Sequence, residues 1–128
     1  MSARTAQLIL FVDDDANLRL VLSDFLKFEG FMVAVANSCE EALEKLAELS
    51  PNLIILDMSM PGIGGLEFLK RVSDESGKPR FPVLVLTARA NMRDLFDDMH
   101  VDGFMSKPCD PQELISEIER ILLLAEAP

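Results

Sequence analysis

Ile9-Leu10-Phe11-Val12-Asp13-Asp14-Asp15 passes from apolar residues straight into three carboxylates, and the same change recurs at Leu53-Ile54-Ile55-Leu56-Asp57. Nearly unbroken Leu, Ile and Val runs of this length are what strands covered on both faces require, so both read as central strands of a parallel sheet. Parallel strands bring their C-terminal ends to one edge, and open α/β sheets bind their ligands at that edge. Carboxylates crowded there repel one another unless a positive charge lies between them. A hard divalent cation such as Mg2+, which takes oxygen ligands, meets that need. The two runs therefore point to Mg2+ held beside a reactive aspartate.

Further strand-length runs flank these two: Phe31–Ala36, Val83–Leu86 and, more weakly, Gly103–Ser106, with the first run extending back to Leu8. Helical periodicity fills the gaps. Leu18, Val21, Leu22, Phe25 and Leu26 form an apolar stripe that Gly30 can end. Ser38 and Glu41 have the spacing of a capping box before Ala42, Leu43 and Leu46. Leu66, Phe68, Leu69 and Val72 predict a third helix, and Leu95, Phe96 and Met99 a fourth capped by Asn91. Asp110, Pro111 and Glu113 open a fifth that carries Leu114, Ile118, Ile121 and Leu122. Five βα units in alternation predict one α/β domain: a flavodoxin-like, doubly wound, five-stranded parallel sheet of order 2-1-3-4-5 with five helices. In that order strands 1 and 3 are neighbours, and Asp13, Asp14 and Asp57 converge.

The 128 residues carry 22 acidic against 12 basic side chains, a formal net charge of −10. With no basic cluster, direct nucleic-acid binding is not expected, since phosphate contacts need Lys and Arg. The apolar stretches are too short to cross a bilayer, and no signal-type core follows Met1. Cys39 and Cys109 lack CxxC spacing and read as ordinary thiols of a reducing cytoplasm.

Two more polar residues end strand runs: Thr87 after Val83–Leu86, and Lys107 after Gly103–Ser106. Carboxylates, a hydroxyl and an amine at one edge are the parts a transferring phosphoryl group needs: a nucleophilic oxygen, a metal, and donors for its equatorial oxygens. Asp57 is the expected nucleophile, because carboxylates form aspartyl phosphates.

These landmarks together resemble the receiver domain of two-component response regulators, in the manner of the single-domain chemotaxis regulators. The resemblance spans about Leu8 to Leu123 and rests on Asp13-Asp14, on Asp57-Met58-Ser59-Met60-Pro61 closed by Gly65, on Thr87-Ala88 and on Lys107-Pro108. It implies that Asp57 accepts a phosphoryl group from a sensor histidine kinase or a histidine phosphotransfer protein. Asp13, Asp14, Asp57 and the backbone carbonyl of Ser59 would ligate Mg2+, while Thr87 and Lys107 would contact phosphoryl oxygens. The Lys107–Pro108 bond would be cis. Phe104 matches an aromatic switch that packs inward when Thr87 moves, changing the protein contacts of the face made by the fourth helix, fifth strand and fifth helix. Such a domain catalyses its own phosphorylation and dephosphorylation rather than acting as a metabolic enzyme. With no output segment after the last predicted helix, signalling through protein contacts is expected. Gly64 stands where many receivers carry an acidic residue, Cys109 where Phe is frequent, and His100 where a small residue is usual.

Other readings are less well served by the residues. A haloacid-dehalogenase-like phosphohydrolase also uses Mg2+, an aspartyl phosphate, a Thr or Ser and a Lys. It places its nucleophile on the first strand, however, and needs an acidic motif after the lysine. A flavin module predicts a hydroxyl-rich first loop and stacking rings, whereas this loop is acidic and the chain has no Trp or Tyr. A receiver-like binding module that never carries phosphate would not require the full set of reacting residues. Asp15 reads as a helix cap only, and His100 as a cationic side chain suited to a helix end.

Overall fold

The computed structural model of the chain describes residues 7–57, 64–87, 100–107 and 110–126. Five strands, β1 (Leu8–Val12), β2 (Met32–Ala36), β3 (Leu53–Asp57), β4 (Val83–Thr87) and β5 (Gly103–Ser106), form one sheet in the order β2-β1-β3-β4-β5. Every pairing is parallel. The described helices are α1 (Ala16–Phe28), α2 (Cys39–Leu46), α3 (Gly64–Arg71) and α4 (Pro111–Glu126). The helix expected to begin at Asn91 and carry Leu95, Phe96 and Met99 lies outside the described residues.

Side chains alternate across the sheet with period two. Leu10, Val12, Ile54, Leu56, Val83 and Val85 pack on one face with Ala42, Phe68 and Leu69 of α2 and α3. Ile9, Phe11, Leu53, Ile55, Leu84 and Leu86 pack on the other with Leu22 and Leu26 of α1 and Leu114, Ile118 and Ile121 of α4. β3 and β4 are buried along their whole length, as their unbroken apolar runs predict. Both extend one residue beyond those runs, so Asp57 and Thr87 are the last rungs of their strands.

Local chemistry sets the helix ends. The Asp15 carboxylate accepts from the Asn17 and Leu18 amides and caps α1. At the other end Gly30, at φ 103, donates to the Lys27 carbonyl while Phe31 donates to that of Leu26, a Schellman stop. Ser38 Oγ accepts from the Glu41 amide, but Glu41 Oε1 accepts from Asn37 rather than closing the box on Ser38. Asp110 caps α4 through the Gln112 amide. On the β2 edge, Lys45 Nζ donates to the Val35 carbonyl, covering an acceptor that another strand would otherwise use.

Among the described residues, His100 directly follows the stretch in which its helix is expected. It is exposed in a turn at φ 56, a left-handed backbone that L residues adopt at a cost.

Gly103 begins β5 where there is no room for a side chain. A Cβ there would lie 2.8 Å from Leu84 Cδ1 and 2.9 Å from Ile121 Cδ1. Gly103→Ala is therefore expected to overpack the β4–α4 contact and cost about 1–3 kcal/mol. The check is a urea midpoint that falls at constant m-value; a wild-type midpoint would show that both side chains simply move aside.

Candidate functional site

The site is built from the residues that end β1, β3, β4 and β5. Asp13 directly follows β1 and is fully buried. Its amide donates to Ala36 O at 3.0 Å, which ties it to the end of β2. Its Oδ1 accepts from the Asp15 amide at 2.9 Å and its Oδ2 from Lys107 Nζ at 2.9 Å. Its carbonyl accepts from Arg19 Nη1 at 2.7 Å. Asp57, buried at the end of β3, pairs through Oδ2 with the same Lys107 Nζ at 3.1 Å. Asp14 is exposed, yet carboxylate oxygens of Asp13, Asp14 and Asp57 all lie within 4.8 Å of one another.

The Lys107 ammonium thus lies between two buried carboxylates. Burial opposes its charge, but the hydrogen bonds and charges of Asp13 and Asp57 outweigh that effect and hold its pKa above the ordinary lysine value. Burial pushes the Asp13 carboxyl above its ordinary range, opposed by the Asp15 amide and Lys107 and reinforced by the Asp57 charge. The Cys39 thiol opens α2 in the core. Burial first, then the charges of Glu40 and Asp57, push it up to about 11, so it stays a thiol rather than a reactive thiolate. An all-oxygen donor set with one exposed member and two buried ones fits a hard cation that keeps positions open to solvent or substrate.

Thr87 is fully buried at the end of β4, opposite Ser106, and its carbonyl accepts from the Lys107 amide at 2.7 Å. Phe104 lies opposite Val85, half-buried against the cluster that contains Leu10 and Val85. Residues 85 and 87 share a face of the sheet, so Thr87 and Phe104 are diagonal neighbours. Ser59, Pro108 with its Lys107–Pro108 bond, and Cys109 lie outside the described residues. Two features escape sequence reasoning. Lys107 pairs with Asp13 as well as Asp57, and Arg19 binds the Asp13 carbonyl. Arg19 reads in sequence as one more polar helix position, and only the geometry of the turn reveals its target.

Comparison with known proteins agrees with this geometry. The family model for the response regulator receiver domain matches residues 9–119. The chain is 41% identical over 122 residues to a protein of Haemophilus influenzae described as a transcriptional regulatory protein CpxR homolog, covering 94% of this chain and 52% of that protein. It spans about half the length of the curated relatives it matches. Among solved structures, the chemotaxis response regulator CheY4 of Vibrio cholerae superposes with a TM-score of 0.81 at 30% identity, covering 90% of this chain and 98% of that one. The response regulator TrrA of Thermotoga maritima, solved in complex with Mg(2+)-BeF, gives 0.79 at 31% identity with the same coverage.

Removing the shared ammonium leaves two buried carboxylates facing each other. Without added divalent cation, Lys107→Met is expected to cost about 1–3 kcal/mol at neutral pH, less than a wholly buried pair because Lys107 keeps some solvent contact. The raised Lys107 pKa means its contribution is complete below 10.5 and is lost as pH rises through the folded value. On the acid side, the Asp13 carboxyl of the variant takes up a proton at higher pH than in the wild type, which relieves the repulsion. Urea unfolding across pH should therefore show a wild-type advantage that is largest near neutrality and shrinks at both extremes. A pH-independent difference would mean that Lys107 contributes packing alone.

Proposed function

We propose, because the chain belongs to the family of response regulator receiver domains, that it accepts a phosphoryl group on Asp57 from a phosphohistidine donor and thereby switches its protein contacts. The observation that carries this reading is the Lys107 ammonium shared between Asp13 and Asp57, with Asp14 exposed beside them at the C-terminal edge of the sheet. Asp13, Asp14, Asp57 and the backbone carbonyl of Ser59 are the groups that would hold Mg2+. When bound, Mg2+ would neutralise charge on the carboxylates and on the phosphoryl oxygens.

The chain's own groups do the rest. An oxygen of Asp57 attacks phosphorus as the phosphorus–nitrogen bond to the donor imidazole breaks, which leaves an acyl phosphate and a histidine. Lys107 then pairs with a phosphoryl oxygen, and the Thr87 hydroxyl moves to another. That movement vacates space beside its diagonal neighbour Phe104, which turns inward. β5, α4 and the helix expected over residues 91–99 form the responding face. Water later cleaves the acyl phosphate and restores Asp57. The module is thus a self-modifying signalling domain, with its receiver unit over about residues 8–123.

The donor is a sensor histidine kinase or histidine phosphotransfer protein, and the output is a protein partner. The net charge of −10 weighs against direct nucleic-acid contact by the receiver itself. No helix of the described residues is long and apolar enough to cross a membrane. We place the domain in the cytoplasm, where its kinase would find it.

Incubation with Mg2+ and a small acyl-phosphate donor is expected to add one phosphoryl group to the wild type and none to Asp57→Asn, read by intact mass. An adduct mapped to Asp13 would overturn the assignment in favour of dehalogenase-type chemistry. Mg2+ at ten times its Kd should stabilise the wild type by roughly 1.4 kcal/mol, because it binds only the folded state. Asp14→Ala should lose most of that shift in a thermal melt; retention of the full shift would remove Asp14 from the cation site.

A further inference from the structure

We propose that Arg19 is a positioning residue for the cation site, acting through the peptide that joins Asp13 to Asp14. The inference rests on the Mg2+ reading above and concerns how the exposed ligand is held. Every polar group of Asp13 is engaged: the amide by Ala36, Oδ1 by the Asp15 amide, Oδ2 by Lys107 and the carbonyl by Arg19 Nη1. The first three bonds orient Asp13 itself. The fourth acts on the carbonyl of the next peptide unit, and that peptide's plane sets where Asp14 starts.

The lever is anchored on both sides. The Arg19 amide donates to Asp15 O at 2.9 Å, and the Asp15 side chain caps the same helix through Asn17 and Leu18. The guanidinium therefore reaches back across the first turn of α1 from a backbone already fixed to that turn. Arg19 is half-buried and lines a cleft with Ser23, Lys27 and Val35. Arg19 thereby ties the Asp13–Asp14 peptide to the first turn of α1.

Two effects of the guanidinium oppose each other. Its positive charge near the site disfavours a cation, and its hold on the peptide preorganises Asp14 for one. The hydrogen bond is short and its donor charged, while the charge itself is screened by the solvent that reaches Asp14. Positioning therefore dominates, and loss of Arg19 weakens cation binding rather than tightening it.

The experiment measures Mg2+ affinity by calorimetric titration in the wild type, Arg19→Met, Arg19→Lys and Asp14→Ala, with urea stability of each recorded in the absence of Mg2+. Arg19→Met keeps an apolar stem in the cleft and is expected to bind Mg2+ roughly tenfold more weakly. Arg19→Lys, which retains a charged donor, should recover part of that loss. A residue that merely stabilised α1 would lower urea stability and leave the Mg2+ affinity of the folded protein unchanged. Wild-type or tighter affinity in Arg19→Met, alongside loss in Asp14→Ala, would overturn the role of Arg19 alone. No Mg2+ binding by the wild type would overturn the cation reading and this inference with it.

Discussion

Two carboxylates buried side by side need a counter-charge, and among the described residues the Lys107 ammonium pairs with both. Asp13 and Asp57 are almost fully removed from solvent, and Lys107 Nζ lies 2.9 Å from one and 3.1 Å from the other. A buried charge left unpaired costs several kcal/mol, so the arrangement persists only while all three groups meet. They come from positions 13, 57 and 107, far apart in the chain. Their meeting requires β3 between β1 and β4, with β5 outermost beside β4. The sheet order and the charge balance are one constraint seen at two scales.

The central strands make that meeting rigid. β3 and β4 are sealed on both faces, so Asp57 and Thr87 occupy the ends of ladders that cannot slip without turning apolar side chains outward. Lys107 is held by its backbone as well, because its amide N–H donates a hydrogen bond to the Thr87 carbonyl. The ammonium is thus delivered by a fixed main chain, and its flexible stem has only a short distance to span. Beside this frame Asp14 is exposed, and His100 lies in a left-handed turn.

Much of this is legible in the residues, because strand runs, caps and strand-end chemistry are local signals. The Leu, Ile and Val runs locate β1, β3 and β4 to within a residue, and Asp15, Gly30 and Asp110 mark helix ends by mechanisms that act over a few bonds. Strand order is not local. It follows from a fold-level rule and from the need for the acidic runs to meet. What escapes are contacts set by side-chain reach. Glu41 turns to Asn37 instead of Ser38, Arg19 folds back on Asp13, and Gly103 is fixed by the approach of Leu84 and Ile121. Spacing does not encode such contacts: the first two depend on which partner within reach a side chain takes, and the third on how β4 and α4 pack.

The same constraint explains why the site suits a divalent cation although it already contains an ammonium. Three carboxylates set against one ammonium leave a formal excess of two acidic groups, the complement of one Mg2+. Without the cation, Lys107 must serve both buried carboxylates, and neither can be given up cheaply. A cation held by the aspartates would free the ammonium from holding them apart and, on the proposed function, let it pair with a phosphoryl group. Phosphorylation of Asp57, as proposed, would replace one carboxylate charge by a phosphoryl dianion, which exceeds what the cation alone would balance. Lys107 and the hydroxyl of Thr87, on neighbouring strand ends, are the groups that would answer that excess. On the proposed function, the answer by Thr87 would be a movement inside a sealed sheet edge, next to Phe104. A change of charge at the end of β3 would thereby be converted into a change of packing on β5.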